Sequence, residues 1–162
     1  MGSLHRIHRG QRIHRTPPAA GRSPAAGPPG CGNPFEIVGD ALRYFSHHFR
    51  DPISIAELAE VLGIRDDCLQ FSFDRVRGMT PAQALQDHRL NRLFATLTAQ
   101  PRQGLRHAIT DCGLGQTEEI LPLFEQTFGI AMPLFLLTCR RAADDRRYRR
   151  DHPEAASLIQ PG

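Results

Sequence analysis

The sequence predicts an all-α protein built as two helix-turn-helix units joined by one long helix. Three observations carry that prediction. Ser54-Ile55-Ala56-Glu57 has the form of a capping box directly ahead of an apolar helical face. Thr80-Pro81-Ala82-Gln83 opens another helix, with Thr as cap, Pro at the first position and Gln at the third. The approach to Gly78 through Leu69, Phe73 and Val76 recurs in the second half as Ile120, Leu123, Phe124 and Phe128 ahead of Gly129. No segment carries a strand signal.

The first 34 residues differ from the rest: they hold five Arg, three His and no acidic residue, set among Pro, Ala and Gly. Such a stretch has almost nothing to bury and reads as a disordered basic arm, residues 1–34. Inside it Arg6-Ile7-His8-Arg9 recurs as Arg12-Ile13-His14-Arg15. His5, His8 and His14 offer metal ligands and the arginines offer phosphate partners, while a plain solvated tail accounts for the same residues. From Phe35 to Phe49, Ile37, Val38, Ala41, Leu42 and Phe45 form one apolar helical face, closed by Asp51-Pro52.

The first unit is expected over about residues 54–78: a helix with Leu58, Ala59 and Leu62, a turn at Gly63, then a helix from Arg65-Asp66-Asp67 to Gly78. The connector runs about 80–99 and would be about 28 Å long. The second unit, about 104–129, holds Leu105, Ala108 and Ile109, then Cys112-Gly113, then its own second helix. A last helix is expected from Met132 to near Arg141, and residues 142–162 read as an Arg-rich polar tail.

The net charge of +3 is unevenly spread. Residues 1–34 carry +5, residues 35–139 carry nine Arg against thirteen acids, and residues 140–162 carry six Arg against four. Positive potential therefore sits in the two ends, around an acidic middle. Cys31, Cys68, Cys112 and Cys139 form no close metal-ligand pair, and no secretory signal precedes them, so reduced thiols in a cytoplasmic protein are expected. The run from Ile130 to Cys139 is too short to cross a bilayer. No phosphate-cradling loop, nucleophile elbow or carboxylate pair points to an enzyme, and no cofactor or metal is implied.

The order and spacing of these pieces resemble the AraC/XylS family of bacterial transcriptional regulators. The residues that carry the resemblance are Ser54-Ile55-Ala56-Glu57-Leu58-Ala59, Gly63-Ile64, Leu69-Gln70, Phe73, Gly78-Met79-Thr80-Pro81 and Arg89-Leu90. Ile109, Cys112-Gly113, Phe124 and Phe128-Gly129-Ile130 continue it, so that it spans about residues 36–141. It implies a domain, 35–141, that inserts the second helix of each unit into adjacent major grooves of double-stranded DNA. Family members typically carry an effector or dimerisation domain ahead of this part. The arm cannot be one, so a stand-alone DNA-binding domain is expected, regulated by abundance or by a partner.

By the same resemblance the first unit would meet bases through Asp67, Gln70 and Phe71, with Arg65, Arg75 and Arg77 placed for phosphates. Gln pairs with adenine and Asp accepts from cytosine, but Asp66 and Asp74 oppose the arginines, which ordinary surface pairing would equally explain. The second unit departs further: its base-facing positions fall on Thr117, Glu118, Leu121 and Pro122, followed by Glu125. Pro122 would break a helix begun at Thr117, so a later, shorter helix is expected there. Sequence-specific reading is thus expected mainly from the first unit. The alternative is a degenerate helix-turn-helix protein that binds another regulator or RNA polymerase through its acidic faces.

Overall fold

Asn33 starts the first helix: its side-chain oxygen accepts from the Phe35 N–H at 3.1 Å, and Pro34 occupies the first helical position. The computed structural model describes residues 27–156. Helix α1, Pro34–His48, buries Ile37, Val38, Ala41 and Phe45 at three- and four-residue spacing. Helix α2, Ile55–Val61, follows the expected box, with the Glu57 carboxylate accepting from the Ser54 N–H at 3.4 Å. Helix α3, Asp66–Arg77, ends at Gly78, whose φ of +64° a side chain would disfavour.

Helix α4, Pro81–Ala99, with Thr80 as its N-cap, is the long connector. Thr80 Oγ1 accepts from the Gln83 N–H at 3.2 Å, and Gln83 accepts from the Thr80 N–H at 2.9 Å. Helices α5, Leu105–Asp111, and α6, Thr117–Phe128, make the second unit. Helix α7, Met132–Asp151, and the single turn α8, Pro153–Ala156, complete the described chain. Among the described residues there is no strand, and no single helix is long and apolar enough to cross a membrane.

Two cores share the connector. Ala84 and Leu85 of α4 join Val38, Ala41, Phe45, Leu58, Leu69 and Phe73 in the first. Leu90, Leu93 and Leu97 join Ile109, Ile120, Phe124, Met132 and Phe135 in the second. Phe94, Phe124, Phe128 and Phe135 cluster there at centroid separations of 4.6–6.2 Å, mostly tilted against one another. Between the cores, Arg89 donates to the carbonyls of Phe49 and Asp51. Gly113, at φ +68°, abuts the same Phe49 carbonyl, and a Cβ there would lie 3.2 Å from Arg50 Cα. The end of α1 is thereby clamped against both α4 and the turn of the second unit.

Four expectations are corrected. Cys31 and Cys68 are joined by a disulfide, Cα atoms 5.4 Å apart, whereas Cys112 and Cys139 are free and buried. The pairing spans 37 residues and depends on the fold, which is why spacing did not reveal it. Gly27 and Cys31, grouped with the arm by composition, therefore touch α3, at Phe71 and Cys68. The arm's repeat, His5, His8, His14 and all five of its arginines lie outside the described residues. Helix α6 starts at Thr117 and accommodates Pro122 inside it: Pro122 and Glu118 are exposed, so the lost bond leaves the Glu118 carbonyl facing solvent. Helix α7 does not stop near Arg141 but runs on to Asp151, with an Arg147–Asp151 pair at helical spacing and Arg102 paired to Asp144.

Candidate nucleic-acid interface

Helix α3 buries Cys68, Leu69, Ser72 and Phe73, so its outward face is set by what remains. With successive residues turned by about 100°, Asp67 and Asp74 stand in the middle of that face. Gln70 flanks them on one shoulder and Phe71 on the other. Gln70 is exposed and borders a shallow cleft with Asp74, Thr80 and Gln83.

At the helix start one arginine meets two carboxylates and pairs with the second of them. Arg65, the N-cap residue, donates from Nε to Asp67 Oδ1 at 2.9 Å, and its Nη2 bonds the other oxygen. That hydrogen bond holds the Asp67 carboxyl below the usual carboxylate range and raises Arg65. Of the two roles the sequence left open for Arg65, phosphate contact or surface pairing, this structure displays the pairing, with Asp67. Arg75 and Arg77, in the last turn, are exposed and form no ion pair among the described residues. Phe71 is half-covered: Gly27 approaches so closely that a Cβ on it would lie 2.6 Å from Phe71 Cε1.

The structure thus brings Arg65, Asp67, Gln70, Phe71, Arg75 and Arg77 onto one helix, while Thr117 stands apart on α6. Thr117 is the first residue of α6 and half-buried, in a small cleft with Arg106 and Thr110 of α5. Beyond it α6 exposes Glu118, Glu119, Pro122, Glu125, Gln126 and Thr127 and holds no basic residue. Two glutamates in the first turn suit the helix dipole but oppose a phosphate backbone. Sequence reasoning missed Gly27 and Cys31 beside α3, and Arg106 beside Thr117. Only the last had a signal, as an Arg one residue into a predicted helix.

No protein-family model and no curated protein matches the chain. Solved structures do. A transcriptional regulator from Chromobacterium violaceum, described as having an AraC-type DNA-binding domain, superposes with TM-score 0.61 at 18% identity, covering 65% of this chain and 93% of that one. A probable AraC family transcriptional regulator from Rhodopseudomonas palustris superposes with TM-score 0.59 at 21% identity, covering 64% of this chain and 97% of that one. The fold is that of an AraC-type DNA-binding domain. In the AraC-type layout α3 and α6 are the second helices of the two units, and α4 is the connector between them.

Proposed function

We propose that this chain is a DNA-binding transcriptional regulator of AraC type that reads double-stranded DNA mainly through its first helix-turn-helix. The contrast between α3 and α6 supports this. Helix α3 offers an exposed amide at Gln70 and two exposed arginines, Arg75 and Arg77, whereas α6 exposes Glu118, Glu119, Pro122, Glu125 and Gln126 and carries no cation. Base readout needs donors and acceptors at the groove edge, and phosphate contact needs cations. Both helices expose an amide, at Gln70 and Gln126, but only α3 carries cations as well.

The test is selection of duplexes from a randomised pool by purified full-length protein under reductant, followed by footprinting. A single conserved block confined to one major-groove segment is expected. Two blocks about 10 base pairs apart would show that α6 reads as well and would overturn the assignment to the first unit. The exposed Glu118, Glu119 and Glu125 favour a second reading, in which α6 meets a basic surface on another regulator or on polymerase. Absence of any preferred sequence would turn the reading to that one.

A further inference from the structure

We infer that Cys31–Cys68 is a thiol–disulfide exchange site that latches residues 27–31 along one shoulder of α3, and that a dithiol reductant opens it. Cys68 is the third residue of α3 and buried, and Cys31 is half-buried. Gly27 sits on Phe71 while Cys31 is bonded to Cys68. Residues 68 and 71 are neighbours on one flank of a helix, so the segment runs antiparallel to α3 over about one turn. Within it a single backbone bond, Cys31 N–H to the Pro28 carbonyl at 3.3 Å, links residues of the segment to one another. The disulfide is its only covalent tie to α3.

The consequence for DNA follows from size, and rests on the first-unit reading above. A helix with its side chains is about 10–12 Å across and fills a major groove about 12 Å wide. A second backbone laid over the Phe71 shoulder makes α3 wider than the groove. In the oxidised state the Phe71 shoulder is covered while Asp67, Gln70 and Asp74 stay exposed, and in the reduced state that shoulder is clear. A protein working on DNA meets a reducing compartment, where a disulfide is usually transient and redox-sensing.

The exchange balances without any other reactant. A thiolate of the dithiol attacks Cys31 Sγ, the more accessible sulfur, and the S–S bond breaks with Cys68 leaving as thiolate. The second thiol of the reductant then attacks its own sulfur in the mixed disulfide and releases Cys31. The reductant ends as a disulfide, two electrons pass to the protein, and its two protons end on Cys31 and Cys68. A disulfide oxidant runs the sequence backwards.

Oxidised full-length protein, treated with a small-molecule dithiol, should gain two alkylatable thiols by mass. Exchange of the Cys31 amide, the one hydrogen-bonded amide of the segment, should then rise at least tenfold, with α4 and α7 unchanged. Affinity for the duplex selected above should rise at least tenfold on reduction, and Cys31→Ser should bind tightly with or without reductant. Wild type held under reductant serves the same comparison should that variant fold poorly. Unchanged exchange on reduction overturns the latch, as does equal affinity of both states for a duplex that is demonstrably preferred. If Cys31→Ser and reduced wild type prefer no duplex, the DNA reading fails, and increased exchange still supports the latch on α3.

Discussion

Arg89 Nε donates to the carbonyl of Phe49 at 2.8 Å, and Nη2 of the same side chain reaches the carbonyl of Asp51 at 2.7 Å. A residue midway along α4 thereby satisfies carbonyls at the end of α1, some forty positions earlier. Burial pushes the Arg89 pKa down, yet a guanidinium stays charged at any working pH. Both bonds are therefore charge-assisted. Arg89→Met should cost about 2 kcal/mol, which corresponds to a loss of roughly 5–10 °C in Tm, measured by circular dichroism. A loss under about 1 °C would mean that the two carbonyls find other donors.

Truncation should separate the arm from the fold at residue 26, not at residue 34. All five arginines of the arm lie before Gly27, while Cys31 and the Asn33 cap lie after it. Residues 27–162 should melt as cooperatively as the full chain. Residues 35–162 should lose about 1 kcal/mol with the cap, and a further contribution of about 3–4 kcal/mol expected of a disulfide closing a loop of this length. On DNA, removal of residues 1–26 should flatten the log–log salt dependence by about 4 to 5, at roughly 0.9 per phosphate. An unchanged slope would place the phosphate contacts in the folded domain.

Gln70→Ala should cost about 1–3 kcal/mol at the preferred duplex and little on random DNA, under reductant and at matched salt. Glu118→Ala should leave specific binding unchanged or strengthen it, because it removes an exposed carboxylate. Weakened specific binding in Glu118→Ala, with Gln70→Ala silent, would reverse the roles of α3 and α6.

His88 packs against Phe49 at a centroid distance of 5.9 Å, and its Nε2 is buried without a hydrogen-bond partner. Burial, with help from the charges of Arg92 and Arg89, holds its pKa below the usual histidine value. As pH falls, the unfolded chain therefore takes up this proton first, near 6.5. The contribution of His88 to stability is complete above that pH and declines below it, down to the folded pKa. Denaturation midpoints should be steady from about pH 7 to 8 and fall below about 6.5. His88→Phe should weaken that fall; an identical pH profile in the variant would assign the acid sensitivity to other groups.

What the sequence made legible was local. Thr80, Pro81 and Gln83 name the start of α4 because a cap, a missing N–H and a reciprocal bond all involve residues within four of one another. Gly78 and Gly129 mark equivalent ends, since each adopts a left-handed φ. The continuation of α7 past Cys139 was hidden because its residues are charged and exposed, and apolar periodicity is silent there. That Gln70 would stand on the second helix of the first unit was legible from resemblance, and it is exposed there. The Arg65–Asp67 pair and the Gly27–Phe71 contact were not, because which carboxylate an arginine chooses, and which segment crosses a helix, are tertiary facts.

The sharing of α4 between two cores sets different rules for the inside and the outside of the second unit. Every outward residue of α6 can drift in sequence without disturbing Ile120 or Phe124 beneath it. Deletion of the unit is another matter, since it would strand Leu90, Leu93 and Leu97 in water on a helix whose other end carries Ala84 and Leu85 of the first core. A lineage could therefore lose the chemistry on this surface within a few substitutions and still be unable to discard the helices beneath it. The second unit would then persist as a brace for the first, with its interior under selection and its exterior free to acquire a new partner.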